Sequence, residues 1–349
     1  MPGLGRHLAC SMVIGSRAYV GGGWDGVSTY NDFWEYDPAT NSWTQKANTP
    51  ALMWNVPCFG IDTAGYFCYP GNTWMYGPNG NTWTNVNSSA PPSTYVEERK
   101  WVINGKGYVC NQTNIFEFDP QTFQWTNVYT LPSSSFSPDV AFAIGNKAYL
   151  VDNYYHKTWE YDAAAVTLTQ KAANPLSNTD GIGFGVNGKG YCGLGFNINV
   201  VGSIPWMAEY DPLTDTWRGI DDFEGTARRK ATSFVIGTRG YISCGSSGIN
   251  LNDLWEFDNS KITGANEESE LAGVKVFPNP SSDGTFFFQS GSGISLVKIF
   301  DASGKELRSV SLNNENYFSV QDLPNGIYFS EIFTREGRSL GIKKLVLLR

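Results

Sequence analysis

The segment "WEYDPATNSWT" at residues 34–44 returns further along the chain, and its spacing decides the fold. Asp followed by Pro favours a tight turn between two antiparallel strands. A tryptophan six residues after the Asp falls on the second strand, where it can pack between adjacent sheets. The other copies are "FEFDPQTFQWT" (116–126), "AEYDPLTDTWR" (208–218), "WMYGPNGNTWT" (74–84), "WEYDAAAVTLT" (159–169) and "WEFDNSKITGA" (255–265).

A second pattern precedes each copy, and it completes a repeating unit of four short strands. It consists of an apolar strand, a turn such as Gly15-Ser16, and a strand that carries a tyrosine. Units of 41 to 50 residues with four antiparallel strands are typical of a β-propeller, in which the sheets are arranged radially. The tyrosines that mark the six units are Tyr19, Tyr66, Tyr108, Tyr149, Tyr191 and Tyr241.

The repeats resemble kelch repeats in the glycines at 21–23, the pair Tyr36-Asp37 and the spaced Trp43. The resemblance covers residues 1–260 and implies an all-β, six-bladed kelch propeller. It is closest in the first, third and fifth units, whereas the second lacks the Asp and the fourth has Leu168 in place of tryptophan.

The sixth unit stops after Asp258, so we expect its sheet to have three strands in this sequence. The five residues before Arg6 are too few to supply a fourth strand, and Lys261-Ile262-Thr263 would supply a poor one. We therefore expect the complete protein to begin upstream of Met1, where a signal peptide would also lie.

Residues 261–273 are polar and acidic without alternation, which predicts a linker. Residues 274–349 alternate strands and turns and predict a small β-sandwich. This part resembles the C-terminal sorting domain of the type IX secretion system, which implies an immunoglobulin-like fold. The motif residues are Pro278, Asn279, Pro280, Gly304, Lys305, Gly326, Tyr328, Lys343 and Lys344.

The sorting resemblance implies a protein of a Bacteroidetes-type bacterium whose partner is the type IX secretion machinery. The protein would be secreted or held at the outer-membrane surface. After cleavage in the linker, the resemblance implies either release or attachment to surface lipopolysaccharide.

Composition excludes several other classes of function. The net charge is −8, and residues 1–272 carry −10, which argues against a nucleic-acid partner. No apolar run reaches 18 residues, so no membrane-spanning helix is expected.

We interpret most of the six cysteines as buried core residues rather than bridges, since several recur at one repeat position. His7 and His156 are the only histidines and fall in opposite repeats, so neither a metal nor another cofactor is expected.

Ligand-binding candidates lie in the loops that share one face of the predicted propeller, because variable loops on a rigid scaffold commonly carry binding. Aromatic and cationic side chains at that mouth could stack on sugar rings or bind carboxylates. We predict recognition of a glycan or a protein there. The candidates are Arg6, His7, Trp24, Trp54, Asn55, Tyr154, Tyr155, His156, Trp206, Arg228 and Arg229.

Two alternatives stay open at the level of sequence. One is a metal-free carbohydrate-active enzyme similar to the sialic-acid epimerases built on kelch propellers, using Arg228, His7 and a carboxylate in the funnel. The adjacent pairs Glu97-Glu98 and Asp221-Asp222 are expected to be solvated rather than catalytic, and no Ser/His/Asp order is visible. The other alternative is a structural surface-layer component without a discrete ligand.

Overall fold

The computed structural model describes residues 1–69, 71–89, 98–132, 137–198, 201–259, 275–279, 281–289, 294–301, 305–312, 315, 317–335, 337 and 339–348. The chain divides into two compact units, Met1–Lys261 and Ile262–Arg349. The predicted linker at 261–273, Lys261-Ile262-Thr263, Pro280 and Gly304 lie outside the described residues.

The described residues of the first unit form six antiparallel sheets, five of them with four strands in chain order. The first three sheets consist of β1 (Cys10–Ile14), β2 (Arg17–Gly21), β3 (Phe33–Asp37), β4 (Ser42–Lys46), β5 (Cys58–Ile61), β6 (Ala64–Tyr69), β7 (Asn72–Gly77), β8 (Thr82–Asn87), β9 (Lys100–Ile103), β10 (Lys106–Cys110), β11 (Asn114–Asp119) and β12 (Gln124–Thr130).

The fifth sheet carries a small two-stranded hairpin between its second and third strands, and the sixth sheet has three described strands. The remaining strands of this unit are β13 (Val140–Ile144), β14 (Lys147–Asp152), β15 (Lys157–Asp162), β16 (Thr167–Lys171), β17 (Ile182–Val186), β18 (Lys189–Gly193), β19 (Phe196–Asn197), β20 (Gly202–Ser203), β21 (Met207–Asp211), β22 (Thr216–Ile220), β23 (Thr232–Ile236), β24 (Arg239–Ser243) and β25 (Leu254–Phe257).

The first strand of each sheet lies against the first strand of the next, and the series closes on itself. Contacts run from β1 to β5, β9, β13, β17 and β23, and then from β23 back to β1. This cyclic arrangement confirms the all-β fold and the β-propeller. The number of blades in the complete protein stays a prediction.

A tyrosine on the second strand and a glutamate on the third form a hydrogen-bonded pair within five of the sheets. The two residues face each other in register, and the phenol donates to the carboxylate at 2.6–2.9 Å. In the second sheet Met75 faces Tyr66 instead. The repeated glutamate therefore satisfies a buried hydroxyl of its own sheet. The pairs are Tyr19–Glu35, Tyr108–Glu117, Tyr149–Glu160, Tyr191–Glu209 and Tyr241–Glu256.

The repeated tryptophan contacts the preceding sheet, as predicted. The indole N–H of Trp125 on β12 donates to Oγ1 of Thr73 on β7 at 2.8 Å, and Trp217 on β22 donates to Thr158 on β15 at 3.1 Å. In the fourth sheet Leu168 packs against a core that includes Trp101 of the third sheet. The fourth strand of a sheet thus binds its neighbour mainly through apolar contact.

The repeated aspartate holds the turn between the third and fourth strands. Oδ1 of Asp37 accepts the N–H of Ala39 at 2.9 Å, and Asp119 accepts that of Gln121 at 2.8 Å. Such side-chain acceptors fix a turn by pairing a backbone donor that would otherwise need water.

The residues before β1 lie beside the loop at 250–252 and form no strand next to β25. The N–H of Arg6 donates to the carbonyl of Leu251 at 3.0 Å, and Asn252 donates to the carbonyl of Gly3 at 2.9 Å. The described part of the sixth sheet therefore ends at its third strand.

The second unit is a sandwich of two antiparallel sheets around one core. Phe286 and Phe318 from one sheet pack with Val297, Ile332 and Leu345 from the other. The strands are β26 (Lys275–Phe277), β27 (Thr285–Gln289) and β30 (Tyr317–Ser319) in one sheet, and β28 (Ile294–Phe300), β29 (Glu306–Ser311), β31 (Gly326–Thr334) and β32 (Ser339–Leu347) in the other.

The described motif residues of this unit lie in its turns and on its last two strands. Oδ1 of Asn279, which follows the exposed Pro278, accepts the N–H of Val346 on β32 at 2.8 Å. The hydroxyl of Tyr328 donates to the carbonyl of Pro324 at 2.8 Å, just ahead of Gly326, where β31 begins. Lys305 closes a turn through its backbone, and Lys343 and Lys344 lie on β32.

A disulfide corrects part of the cysteine interpretation. Cys10 on β1 and Cys58 on β5 are bonded, with Cα atoms 5.8 Å apart. Repeat position alone misses this bridge because first strands of neighbouring sheets converge near the axis. Cys68, Cys110, Cys192 and Cys244 are buried and lie outside this disulfide, as predicted for core residues. A disulfide between sheets is typical of proteins that leave the reducing cytosol.

Breaking this bridge should weaken the ring. We expect Cys10→Ala to lower the free energy of unfolding by about 2–4 kcal/mol, since the bond restricts the unfolded chain. Urea denaturation checks this, and reductant should affect the parent but not the variant. Alkylation of the denatured, non-reduced protein should label the four other cysteines; labelling of all six would contradict the bridge.

Candidate functional site

A belt of backbone hydrogen bonds joins the second, first, sixth and fifth sheets where the chain enters their first strands. The N–H of Asn55 donates to the carbonyl of Leu8, that of Leu8 to Lys230, and that of Lys230 to Asp180, at 2.8–2.9 Å. All four residues have φ between 54° and 56°, a left-handed conformation that costs free energy for residues other than glycine. The belt holds these four strained residues, one from each of the four sheets, beside one another.

Inside this belt lies a cavity of about 200 Å³, called here the axial cavity, to which all six sheets contribute. Its charged groups are three carboxylates, on Glu98, Asp139 and Asp180, and two cations, on Arg99 and Lys230. The lining residues are Leu8, Trp54, Asn55, Glu98, Arg99, Asp139, Asp180, Gly181, Lys230 and Ala231.

Glu98 reaches across the axis from the third sheet to the sixth, which corrects the expectation of a solvated side chain. Its Oε2 lies 3.1 Å from the hydroxyl of Ser233, and Oε1 is buried without a hydrogen-bond partner among the described residues. Burial raises the pKa of Glu98. Beside it, Lys100 donates to the carbonyl of Ser11 in the first sheet at 3.1 Å. These two side chains connect the third sheet to the sixth and the first sheets near the axis.

Asp139 is the second carboxylate with a perturbed protonation equilibrium. Burial, together with the charges of Asp152 and Asp180, raises the pKa of Asp139 to about 7, although Arg99 and the N–H of Asn153 oppose the shift. The N–H of Asn153 donates to its Oδ2 at 2.9 Å. Asp139 therefore changes charge near neutral pH.

A row of aromatic rings leads to the wall of the cavity. The ring of His7 meets Trp24 edge-on at 5.3 Å between centroids, and Trp24 lies 5.7 Å from Trp54, a lining residue. Nδ1 of His7 lies 2.8 Å from Oδ1 of Asn250 and donates to it, because the amide nitrogen of Asn250 donates to the carbonyl of Asp25. Burial lowers the pKa of His7, so the ring is neutral at pH 7.

Arg6 and Arg228 are buried inside the first and sixth sheets rather than presented at the mouth. Arg228 forms two charge-assisted bonds to Asp253, whose Oδ2 also accepts the indole N–H of Trp255. Arg6 repeats this arrangement with Asp32 and Trp34. Both guanidinium groups stabilise the fold, since the carboxylate that each one binds belongs to its own sheet.

The other candidates lie outside the lining of the axial cavity. Tyr154, Tyr155 and His156 are exposed in the loop between β14 and β15, and Trp206 packs against the core shared by the fourth and fifth sheets. The guanidinium of Arg229 lies 5.0 Å from the ring of Phe196. Only Trp54 and Asn55 among the predicted candidates line the cavity.

Sequence reasoning missed five charged lining residues, namely Glu98, Arg99, Asp139, Asp180 and Lys230. The predicted candidates Arg6 and Arg228 lie in the correct segments, but the positions two residues later, Leu8 and Lys230, line the cavity. Applying that offset to the repeats would have identified part of the site.

Among the residues that the structure describes, no three His, Cys, Asp or Glu side chains converge as a metal-binding group. The described part of the chain also contains no helix with the length and hydrophobicity needed to cross a membrane.

The pH dependence of the protein's stability should reveal the raised pKa of Asp139. Its pKa is higher in the folded protein than in the unfolded chain, so the folded state binds more protons between about pH 4 and pH 7, and stability falls as pH rises through that window. Asp139→Asn cannot ionise, and its amide oxygen can still accept the N–H of Asn153. We expect the variant to exceed the parent in Tm by at least about 2 °C at pH 8 and to match it near pH 4. An equal difference at both pH values would contradict the assignment.

The comparisons with known proteins agree with this architecture. The family described as "Kelch motif" matches residues 5–50, and the "Secretion system C-terminal sorting domain" matches residues 275–347. A solved structure titled "Structure of YjhT" is similar with a TM-score of 0.61 and 15% identity, over 73% of this chain and 95% of that chain. At that identity the likeness shows the fold alone. No curated protein matches the chain.

The kelch repeats and the type IX sorting domain make this a secreted kelch-propeller protein, destined for the cell surface or the extracellular space. The sorting domain implies interaction with the secretion machinery.

Proposed function

We propose that this secreted kelch propeller is a binding protein whose axial cavity and surrounding loops recognise a glycan. The observation that carries the proposal is the position of Trp54 on the wall of a concave, polar cavity to which six sheets contribute. A half-buried indole beside hydrogen-bonding groups suits a sugar, which has apolar ring faces and hydroxyl edges. A protein ligand, which the sequence leaves open, would fit a flatter surface better.

The rigidity of the mouth supports the proposal. Four of the lining residues, Leu8, Asn55, Asp180 and Lys230, belong to the backbone belt, so their positions are set before a ligand arrives. A preorganised site loses less conformational entropy on binding than a mobile loop. Export also supports a role outside the cytoplasm, where surface glycans are accessible.

Removal of the Trp54 indole should weaken glycan binding. We expect Trp54→Ala to reduce the affinity of the full-length protein about tenfold or more, for the best ligand found on a glycan array, because the stacking surface is lost. Isothermal titration calorimetry measures the change.

Tyr155→Ala is the matched control, since it removes an exposed aromatic ring from another loop, outside the cavity lining. The proposal expects a smaller effect there. A folded Trp54→Ala variant that binds as tightly as the parent, or a larger loss in Tyr155→Ala, would contradict the site.

A second candidate function is acid–base chemistry on the bound sugar, without a metal. It is favoured by the raised pKa values of Glu98 and Asp139 in one cavity, since perturbed carboxyl groups cluster at catalytic sites. Time-resolved NMR of the ligand's ring protons with the full-length protein separates the two functions. Unchanged spectra support simple binding, whereas new ring-proton signals that depend on Glu98 or Asp139 establish catalysis.

A further inference from the structure

Asp139, one of the three carboxylates that line the axial cavity, has few positively charged neighbours. Two further carboxylates, on Asp152 and Asp180, lie close enough to act on it, and Arg99 is the cation among its described neighbours. Asp152 is fully buried, and its two oxygens accept the N–H groups of Ser137 and Tyr155 at 2.9 Å each. Asp139 thus has more negative than positive neighbours.

Glu98 lacks a hydrogen-bond donor at one of its two carboxylate oxygens. The Ser233 hydroxyl has one hydrogen, yet it lies within bonding distance of both Oε2 of Glu98 and the carbonyl of Gly183, at 3.1 and 3.2 Å. Oε1 is buried and has no donor among the described residues. A buried acceptor without a donor costs free energy that a ligand can recover by donating to it.

Two lysines lie near these carboxyl groups. Lys100 donates its ammonium to the carbonyl of Ser11. In the belt, the carbonyl of Lys230 accepts the N–H of Leu8, the residue after His7. The charge of Lys230 helps to lower the pKa of the His7 ring. Lys100 is close enough for its charge to oppose the rise in the pKa of Glu98, but among the described residues neither lysine forms an ion pair with Asp139 or Glu98. A cation that enters from outside can therefore pair with these two carboxyl groups.

We propose that the cavity binds its ligand through a primary ammonium group held by Asp139 and Glu98, and that the ligand is an amino sugar with a free amine. The inference rests on the proposed function for the sugar ring, which Trp54 would contact. The ammonium supplies three donors and one positive charge, whereas Oε1 of Glu98 has no donor among the described residues and Asp139 has more negative than positive neighbours. An N-acetylated amine retains one N–H but loses the charge.

The test compares two probes on the full-length protein at pH 7 by isothermal titration calorimetry. One is a tetramer of β-1,4-linked glucosamine, and the other is the same tetramer fully N-acetylated. We expect the free-amine tetramer to bind at least about tenfold more tightly, since a hydrogen bond to a charged group contributes about 1.5–3 kcal/mol.

Two variants locate the effect. Asp139→Asn and Glu98→Gln should each weaken binding of the free-amine tetramer about tenfold and change binding of the N-acetylated tetramer less than about twofold. Glu224→Gln is the matched control, because it removes an exposed carboxylate outside the cavity and should leave both affinities unchanged. Circular dichroism confirms that each variant is folded.

Three results would overturn the inference. The first is equal or tighter binding of the N-acetylated tetramer, and the second is free-amine binding unaffected by both variants. In the third, neither tetramer binds but another glycan binds in a Trp54-dependent manner, which would leave the proposed function standing. If no glycan on the array binds, the proposed function fails as well.

Discussion

The ring depends on one repeated contact, the aromatic side chain that the fourth strand of a sheet places against the preceding sheet. A four-stranded antiparallel sheet of this size is too small to be stable alone, so its apolar faces must be covered by neighbours. The indole of Trp125 contacts Phe59 of the second sheet as well as Phe118 of its own, at 6.2 and 5.0 Å between centroids. Because each sheet covers the next, the series is stable only when it closes.

Closure brings the first strands together at the axis, and the site follows from that geometry. Groups that are far apart in sequence, such as Glu98 and Ser233, meet there. The belt then holds Asn55, Asp180 and Lys230 in left-handed conformations that a free loop would avoid. Strain at these positions is maintained by the rest of the fold, as is common where a structure prepares a binding site.

Much of this fold was predictable from the sequence, because the repeated segments determine which neighbouring strands pair. The turn at Asp37, the partner strand with Trp43 and the alternation of buried aromatics each depend on neighbours within about ten residues. The sandwich of the second unit was predictable for the same reason. The expectation for Cys10 and Cys58 was incomplete, since their bond depends on two sheets meeting at the axis.

The site was less predictable, because a side chain's environment at the axis depends on all six sheets. Arg6 and Arg228 resemble ligand-binding residues in the sequence, yet each has an aspartate partner 25 or 26 residues later in its own sheet. The sequence predicts that Glu98 is a solvated loop residue. Its burial depends on Ser233 of the sixth sheet, which lies opposite it only in the folded ring. Trp54 and Asn55 were found because they directly precede a first strand.

Hydrogen exchange of a Trp125→Leu variant, which imitates the natural Leu168, tests the central claim most directly. If the fourth strand stabilises the preceding sheet, amides on β6 and β7 should lose protection along with those on β11 and β12. Loss of protection confined to β9–β12, with the second sheet unchanged, would contradict the claim that the sheets are stable only as a closed, interlocked ring.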